Sequence, residues 1–248
     1  MKTEGNTILI TGGGTGIGLG LAKAFLALGN KVIIASRRRD VLEEAVKNNP
    51  GMASYALNLQ HTDQIRQFVE WVLKEHPSLN VLINNAGVMK AENLLARRDW
   101  TDMEDMVATN FLGPLRLTTD LLPHLLNQPR AAIVNVTSGL GFVPMASTPT
   151  YCATKAALHS YTESLRHQLK RTNIEVVELI PPYVDTQLID GASDPNAMPL
   201  DSYIAEAMEI LKSDPYTTEV CVENVKRLRP AAESITYEKI FRSINGGR

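Results

Sequence analysis

The chain has 248 residues, with 44% hydrophobic and 21% charged residues, a composition that is ordinary for a folded globular protein. Its net charge of −2 argues against a nucleic-acid-binding surface. No apolar run approaches the ~20 residues that a membrane-spanning helix needs, and the polar N-terminal stretch lacks the apolar core of a signal peptide. Two cysteines form neither a disulfide framework nor a zinc motif. We therefore expect a cytoplasmic protein of one domain, residues 1–248, without metal, membrane or nucleic-acid partners.

Short runs rich in β-branched residues alternate along the chain with segments of helical periodicity. The apolar runs are typical of strands buried on both faces of a parallel sheet, and they occupy residues 7–11, 31–36, 53–58, 81–85, 131–138 and 174–180. The helical segments between and after them are 18–29, 39–48, 63–76, 100–126 and 151–170. This alternation predicts an α/β fold with a doubly wound, mostly parallel sheet flanked by helices.

The part of the chain after residue 181 is less regular. Residues 187–210 are interpreted as a mobile substrate lid that leads into a helix. The stretch "PYTTEV" at 215–220 is a candidate seventh strand. Residues 222–248 contain two helical stretches separated at Pro230, which predicts a helical C-terminal extension.

A glycine cluster, "ILITGGGTGIGLGLA", follows the first predicted strand and opens the first predicted helix. In such a turn, backbone N–H groups and the helix N-terminus can bind a pyrophosphate. The spacing of Gly12, Gly16 and Gly18 is neither that of a P-loop nor the usual GxGxxG of dinucleotide-binding proteins. By itself, the cluster leaves a simple tight turn as an alternative.

Three further motifs accompany the glycine cluster. They are "NNAG" at 84–87, the pair Tyr151 and Lys155, and Ser138, which lies thirteen positions before Tyr151. In order and spacing the set resembles the short-chain dehydrogenase/reductase family over about residues 7 to 190. The resemblance implies a Rossmann-type fold, a nicotinamide cofactor, and interconversion of a carbonyl and an alcohol.

Tyr151 and Lys155 share one face of a predicted helix because they are four residues apart. A phenol with a pKa of about 10 is a weak proton donor or acceptor at neutral pH. The ammonium of Lys155, together with a positively charged nicotinamide, is expected to lower the pKa of Tyr151. The hydroxyl of Ser138 can hold a substrate oxygen beside Tyr151. A tyrosine and a lysine at this spacing are common in helices, so Ser138 at a strand end carries much of the prediction.

The resemblance assigns a role to each member of a catalytic tetrad. Tyr151 is the general acid in reduction and the general base in oxidation. Ser138 orients and polarises the substrate, and Lys155 also binds the hydroxyls of the nicotinamide ribose. Asn110, inside the fourth predicted helix, matches the family's asparagine that helps hold a water linked to the lysine.

The end of the second strand, "VIIASRRRD", predicts which dinucleotide is bound. An acidic residue here binds the adenosine ribose of NAD, whereas a basic residue receives the 2′-phosphate of NADP. Ser36 occupies the acidic position, and Arg37 and Arg38 follow with guanidinium groups suited to phosphate. NADP(H) is therefore the predicted cofactor and NAD(H) the alternative. Thr15 opposes this prediction, because many NADP-preferring relatives carry a basic residue there.

Further cofactor contacts follow from the resemblance alone. Asn58 and Leu59 flank the adenine, although the family more often has Asp at position 58, and Val184 and Thr186 contact the nicotinamide carboxamide. Pro182 replaces a glycine of the family and stiffens the loop after the sixth strand. The full set of expected cofactor residues, besides Tyr151 and Lys155, is Gly12, Thr15, Gly16, Ile17, Gly18, Ser36, Arg37, Arg38, Asn58, Leu59, Asn85, Ala86, Gly87, Pro181, Val184 and Thr186.

Residues after the strand ends form the expected substrate pocket. The expected substrate residues are Ser138, Leu140, Tyr151, Tyr183 and Leu188, and further candidates are Val88, Met89, Phe142, Met145 and Gln187. Most of these are apolar, which favours a small hydrophobic carbonyl or alcohol as substrate.

The predicted function is NADPH-dependent reduction of a ketone or aldehyde. An NAD-linked alcohol dehydrogenase and a non-catalytic dinucleotide-sensing regulator remain alternatives, and the complete tetrad argues against the regulator. A homo-oligomer, dimer or tetramer, is expected through the helices at 100–126 and 151–171. The five histidines show no metal spacing and are interpreted as surface or packed residues.

Overall fold

The structure is a computed structural model, and it describes residues 1–96, 99–188, 194–231 and 236–245. Seven parallel strands form one sheet in the order β3-β2-β1-β4-β5-β6-β7. The strands are β1 Thr7–Thr11, β2 Lys31–Ser36, β3 Met52–Ala56, β4 Val81–Asn84, β5 Ala131–Val136, β6 Ile174–Leu179 and β7 Glu219–Val220. The predicted doubly wound parallel fold is confirmed.

Helices cover both faces of the sheet. They are α1 Gly16–Ala27, α2 Arg39–Asn48, α3 Thr62–Glu75, α4 Thr101–Val107, α5 Gly113–Leu126, α6 Pro149–Leu169, α7 Leu200–Ser213 and α8 Tyr237–Ile244. Side chains alternate between the faces, so Ile8 and Ile10 of β1 join the core under α1, α2 and α7, and Leu9 joins the core under α3, α5 and α6. Both faces are therefore buried, as the apolar strands predict.

The order of the strands locates the site. The chain builds outward from β1 to β3 and then returns to add β4 on the other side of β1. The loops that follow β1 and β4 therefore diverge to opposite faces and leave a crevice at their carboxyl ends. These two loops carry the glycine cluster and the "NNAG" motif.

The predicted helix at 100–126 is interrupted. It consists of α4, a π-turn at Ala108–Leu112 and α5. The π-turn contains Asn110, whose side chain is completely buried. An isolated π-turn commonly lies at a functional site because it re-aims side chains without ending the helix.

The C-terminal region differs from its prediction at one point. The seventh strand is present as β7, and α8 is the second predicted helical stretch. The first stretch is a single 3₁₀ turn, Glu223–Val225, followed by turns through Pro230. Val222, Val225 and Leu228 recur every third residue and are buried, a spacing that suits consecutive turns.

The predicted lid is only partly a loop. Residues 189–193 lie outside the described residues. From Leu200 onward the segment is α7, and Tyr203 and Ala207 of this helix are completely buried. A Cβ atom added at Gly20 of α1 would lie 2.7 Å from Ile204, so α7 packs tightly on α1. The C-terminal half of the predicted lid is thus part of the core.

Within the described part of the chain, none of the helices combines the length and the apolarity needed to cross a membrane.

Candidate active site

The glycine cluster forms a tight turn between β1 and α1. Gly12 and Gly16 have φ angles of +66° and +52°, which are favourable for glycine and strained for other residues. The Gly12 N–H donates to the carbonyl of Ala35 at 2.7 Å and holds the turn against β2. Thr15 is the N-cap residue of α1, so the first N–H groups of the helix open toward the loop. This is a cradle suited to a pyrophosphate.

Gly18 has a packing role rather than a lining role. A Cβ atom added to it would lie 2.4 Å from both the Asn85 side-chain nitrogen and the Gly12 carbonyl oxygen. Asn85 Nδ2 donates to the carbonyls of Thr11 at 2.9 Å and Gly12 at 3.3 Å. Gly18 is therefore needed for the close packing of the two loops, and its neighbours Gly16 and Ile17 line the cleft. Its expected part in cofactor binding stays a prediction.

The "NNAG" loop is tied to β1 through one hydroxyl. The N–H groups of Asn85 and Ala86 both donate to Thr11 Oγ1 at 3.1 Å. A Cβ atom added at Gly87 would lie 3.6 Å from Asn110 Oδ1 and 3.7 Å from Lys155 Nζ. Gly87 therefore lies directly beside two members of the tetrad.

A single cleft of about 1290 Å³ joins all these elements. Its walls come from the glycine loop, the ends of β2, β4 and β5, the loop after β6 and the C-terminal segment. A cavity of this size exceeds what a drug-sized ligand requires, and it accommodates a dinucleotide together with a substrate.

The predicted tetrad is brought together in and behind this cleft. Ser138, Tyr151 and Lys155 line it, although their exposed fractions are only 7%, 5% and 3%. Lys155 Nζ lies 5.7 Å from the centre of the Tyr151 ring and donates to the carbonyl of Val136 at 2.7 Å. The hydrogen bond to Val136 fixes the ammonium at the end of β5.

Ser138 is held by the loop that follows it. Its Oγ accepts a hydrogen bond from the Leu140 N–H at 3.1 Å and caps the 3₁₀ turn Gly139–Gly141. The same hydroxyl is near enough to the Tyr151 phenol to lower its pKa. A Cβ atom added at Gly141 would lie 3.1 Å from the Ala156 backbone nitrogen, so this loop packs directly on α6. Ser138 and Tyr151 are thus presented side by side.

Asn110 lies behind the other three residues and bonds with them indirectly. Its Oδ1 accepts from the Val88 N–H at 2.8 Å, and its Nδ2 donates to the Val88 carbonyl at 2.9 Å and to Thr154 Oγ1 at 3.2 Å. It therefore connects the end of β4 to α6 next to Lys155. The predicted polar role of Asn110 inside the protein agrees with this position.

The electrostatics of Tyr151 differ from the sequence-based expectation. Burial raises the pKa of Tyr151 to about 12, and the hydrogen bond with Ser138 opposes this only in part. Burial also lowers the pKa of Lys155 to about 8, against the raising effect of Glu178. Desolvation of the phenolate is thus the dominant effect in this structure, and the lowering of the Tyr151 pKa by Lys155 together with a bound nicotinamide stays a prediction. At neutral pH Tyr151 carries its proton.

The two predicted arginines lie at the rim of the cleft. Ser36, Arg37 and Arg38 line it beside the glycine loop, and both arginine side chains are exposed. A Cβ atom added at Gly14 would lie 3.4 Å from Ser36 Oγ, which shows how near the end of β2 comes to the turn. Arg39 borders a smaller adjoining pocket instead.

The predicted adenine contacts are separated by the structure. Leu59 lines the cleft and is wedged against α5, since a Cβ atom added at Gly113 would lie 2.8 Å from Leu59 Cβ. Asn58 borders the smaller pocket, and its Oδ1 accepts from the Gln60 N–H at 3.1 Å. The smaller pocket shares Arg37 and Leu57 with the cleft, so a contact of Asn58 with the adenine stays a prediction.

The loop after β6 closes over the glycine turn. Pro181, Val184 and Thr186 all line the cleft as predicted. Val184 forms an isolated parallel bridge with Met198, which fixes the loop despite the proline at position 182. A Cβ atom added at Gly16 would lie 3.4 Å from Thr186, so this side chain lies over the start of α1.

The substrate end of the cleft contains Leu140, Tyr183 and Leu188, as predicted, and also Val88, Met89, Met145 and Gln187. Phe142, a further candidate for this pocket, does not line it. It is buried, with its ring 4.6 Å from the His159 ring and 4.7 Å from the Arg229 guanidinium carbon, and it packs behind the pocket.

The sequence reasoning missed the C-terminal wall of the cleft. The residues that line it there are Glu223, Asn224, Lys226, Arg227, Leu228 and Ile244. Leu228 packs on Gly139, where an added Cβ atom would lie 2.6 Å from Leu228 Cδ1. The Ala146 N–H donates to Asn245 Oδ1, and Asn245 Nδ2 donates to the Pro144 carbonyl at 3.1 Å. These contacts span about a hundred residues of sequence and have no local motif that could have indicated them.

His159 is more than a packed histidine. Its Nδ1 lies 2.9 Å from the carboxylate of Glu178 in β6. Hydrogen bonding to Glu178 raises the pKa of His159 above its usual value. Among the described residues, no group of three His, Cys, Asp or Glu side chains is arranged to hold a metal ion.

Comparisons with known proteins agree with this geometry. The family model for short chain dehydrogenase matches residues 6–196. An uncharacterized oxidoreductase, DltE of Bacillus subtilis, is 42% identical, with 99% of this chain and 98% of that protein covered. The 3-oxoacyl-[acyl-carrier-protein] reductase FabG of Thermotoga maritima is 30% identical over 77% of this chain and 78% of its own length.

Solved structures share the fold. A 3-ketoacyl-(acyl-carrier-protein) reductase of Brucella melitensis, complexed with NADH, has a TM-score of 0.82 at 26% identity, over 92% of this chain and all of that one. A short chain dehydrogenase of Burkholderia cenocepacia, in complex with NADP, has a TM-score of 0.83 at 22% identity, over 98% of each chain. The resemblance drawn from the motifs is confirmed: this chain belongs to the short-chain dehydrogenase family of oxidoreductases.

Proposed function

We propose that the protein reduces the carbonyl group of a small hydrophobic ketone or aldehyde with NADPH, and that Tyr151 is the general acid. The observation that carries this proposal is the convergence of Ser138, Tyr151 and Lys155 on the cleft that also contains the glycine cradle. Relatives named as 3-oxoacyl-[acyl-carrier-protein] reductases support reduction of a carbonyl as the reaction class.

The fit of a dinucleotide rests on the glycine cradle. Gly12 and Gly16 have positive φ angles that shape the turn, and the start of α1 opens to the cleft. When bound, the reduced nicotinamide supplies the hydride. Arg37 and Arg38 would hold the 2′-phosphate of NADP, Leu59 would flank the adenine, and Lys155 would bind ribose hydroxyls near Tyr151.

The protein side of the mechanism follows from positions and protonation states. Ser138 and Tyr151 both donate hydrogen bonds to the substrate oxygen and so stabilise the charge that develops on it. Because burial raises the pKa of Tyr151 to about 12, the phenol holds a proton at neutral pH and transfers it to the developing alkoxide. The ammonium of Lys155 stabilises the tyrosinate that is left. The burial of Ser138 and Tyr151, which are 7% and 5% exposed, limits the access of water to this step.

Tyr151→Phe tests the assignment. The variant keeps the ring and loses the proton donor, so we expect carbonyl reduction to fall by a factor of about 10²–10⁴ while NADPH binds normally. The measurements are NADPH consumption with a panel of aliphatic and aromatic ketones and aldehydes, and NADPH affinity by fluorescence. Retention of activity in Tyr151→Phe would contradict the mechanism. If the wild-type protein oxidised NADPH with none of the ketones or aldehydes in the panel, that result would favour a dinucleotide sensor.

An NAD-linked alcohol dehydrogenase is the second candidate. Thr15 favours it, because the glycine loop offers no basic side chain at that position for a 2′-phosphate. Rates measured with NADPH and NADH, in reduction and in oxidation, separate the two candidates.

Three further assignments belong to the proposal. The chain forms one catalytic domain. It assembles as a homo-oligomer through α4, α5 and α6, and the 72% exposure of Trp100 beside α4 supports such a surface. The site of action is the cytoplasm. Size-exclusion chromatography with light scattering tests the oligomer.

A further inference from the structure

Glu178 is a carboxylate in the interior of the protein. It lies in β6, and its side chain is 0% exposed. Burying such a group costs free energy unless it is paired and hydrogen-bonded. Thr137 Oγ1 donates to Glu178 Oε1 at 2.7 Å, and His159 Nδ1 lies 3.0 and 2.9 Å from the two carboxylate oxygens. Glu178 is therefore held by one residue of the β5 end and one residue of α6.

The two partners of Glu178 adjoin the catalytic residues. Thr137 stands between Val136, whose carbonyl accepts from Lys155 Nζ, and Ser138. His159 follows Lys155 by four residues on α6, so the two side chains share a face of the helix. The carboxylate thus fastens the strand end that carries Ser138 to the helix that carries Tyr151 and Lys155.

Charged side chains surround Glu178 and His159 on α6 and on the C-terminal side. On α6, Glu163 lies 3.7 Å from His159 Nε2, and Arg166 donates to the backbone of β6. On the C-terminal side, Arg229 forms a two-bond pair with Glu219 at 2.8 and 2.9 Å and lies over Phe142. The remaining titratable neighbours are Lys155 and Cys221.

Lys155 depends on a compensating negative charge. It is 3% exposed, and its burial favours the neutral amine. Burial lowers the pKa of Lys155 to about 8, and the charge that opposes this lowering is Glu178. His159 shares the carboxylate, and the pKa of His159 is raised by that contact.

We propose that Glu178, held by Thr137 and His159, is a positioning residue for the reaction: it orients Ser138 through the end of β5 and stabilises the ammonium of Lys155. This inference rests on the proposed reductase function. It assigns a second buried layer beneath the tetrad, built from β5, β6 and α6.

Glu178→Gln removes the charge and nearly keeps the shape. Without the carboxylate, the protonated form of Lys155 is less stable, so its titration midpoint moves to lower pH. A shift of about one pH unit would lower the protonated fraction of Lys155 at pH 8 about fivefold and leave it almost unchanged at pH 6. We therefore expect the loss of kcat to be several-fold at pH 8 and small at pH 6. A purely structural role would lower kcat equally at both values.

The titration is measured directly by NMR on protein labelled with ¹³C-lysine, with the Cε resonance of Lys155 assigned from Lys155→Arg. This readout needs no substrate. A wild-type protein that reduced no carbonyl would overturn the proposed function, and the midpoint comparison would still decide this inference.

Glu219→Gln is the matched control. It neutralises a half-buried carboxylate in the same region that is paired with Arg229 and has no contact with Thr137. We expect the Lys155 midpoint and the pH profile of kcat to stay at their wild-type values. An unchanged midpoint in Glu178→Gln, or an equal shift in Glu219→Gln, would overturn the electrostatic role of Glu178.

Two conservative variants test whether Glu178 orients Ser138. They also keep the proposal testable if Glu178→Gln does not fold. Thr137→Val and Glu178→Asp both keep the carboxylate and weaken its hold on the end of β5. We expect a several-fold lower kcat at all pH values, an unchanged Lys155 midpoint and unchanged NADPH affinity. Wild-type kcat in both variants would show that Glu178 does not position Ser138.

Discussion

At the cofactor end of the cleft, main-chain atoms of neighbouring loops pack closely against each other. At the substrate end, side chains from distant segments form the wall. A Cβ atom added at Gly12 would lie 2.8 Å from Ala86 Cα. A Cβ atom added at Gly18 would lie 2.4 Å from the carbonyl oxygen of Gly12. The substrate end is instead lined by Leu140, Tyr183 and Ile244, which come from three separate parts of the chain.

This difference separates two kinds of constraint. The cofactor end is limited by the space between main-chain atoms, which cannot move without disturbing β1 and β4. The substrate end is limited by the shapes of side chains, which can change while the fold remains. We expect substitutions at the first end to affect cofactor choice and stability, and substitutions at the second end to affect substrate preference.

The largest expected effect concerns cofactor choice at the rim. Arg37→Asp places a carboxylate where the 2′-phosphate of NADP is proposed to bind, so repulsion replaces a charge-assisted pair. We expect the ratio of kcat/KM for NADPH over NADH to fall by about 100-fold, or roughly 2.7 kcal/mol. Arg39→Asp is the control, since Arg39, unlike Arg37, is not among the residues that line the cleft, and it should change the ratio much less. A ratio unaffected by Arg37→Asp would refute the NADP assignment.

Next is the packing of the glycine loop. Gly18→Ala forces a methyl group against a backbone carbonyl, and overpacking of this kind costs about 1–3 kcal/mol. We expect a lower Tm and weaker NADPH binding. Gly20→Ala lies on the same helix and meets the Ile204 side chain, which can rotate away, so its effect on both should be smaller. Equal effects of the two substitutions would show that the close approach at Gly18 is unimportant.

A smaller effect concerns the alkaline limb of the pH profile. Burial lowers the pKa of Lys155 to about 8, while the pKa of Tyr151 is raised to about 12. Lys155 therefore loses its proton first as pH rises, and we expect kcat to fall above pH 8 by up to about tenfold per pH unit. In Lys155→Arg the guanidinium stays charged, so the limb should move to higher pH even if the rate is lower. If the fall of kcat in Lys155→Arg still began near pH 8, the titration of a group other than Lys155 would cause it.

The smallest effect is expected at the C-terminal wall. Ile244→Ala enlarges the substrate end, and a change of a few methylenes in an apolar pocket alters selectivity by about 1–3 kcal/mol at most. Because Ile244 is only partly buried, we expect a several-fold shift of kcat/KM toward bulkier ketones with little change in Tm. Ile240→Ala is the control, because Ile240 lies one turn earlier on the same helix and is not among the residues that line the cleft. Equal selectivity in the two variants would exclude this wall from substrate contact.

The sequence alone was sufficient for the sheet, the glycine turn and the tetrad. Alternation of apolar runs with helical periods is a local property, and it predicted six of the seven strands as long runs and the last as a short candidate. The motifs around Gly12, Ser138 and Tyr151 could be read because their residue types and spacings are fixed by backbone geometry and reaction chemistry.

Only the tertiary structure decided which long-range contacts form and how deeply each group is buried. It placed Phe142 behind the substrate pocket and added Leu228 and Ile244 to the cleft lining. It also decided that burial raises the pKa of Tyr151, since desolvation depends on every segment that covers the phenol. The pairing of Glu178 with His159 joins β6 to α6 and has the same origin. Chemistry that depends on residues close together in the chain can be predicted from the sequence. Chemistry that depends on burial can be described only from the tertiary structure.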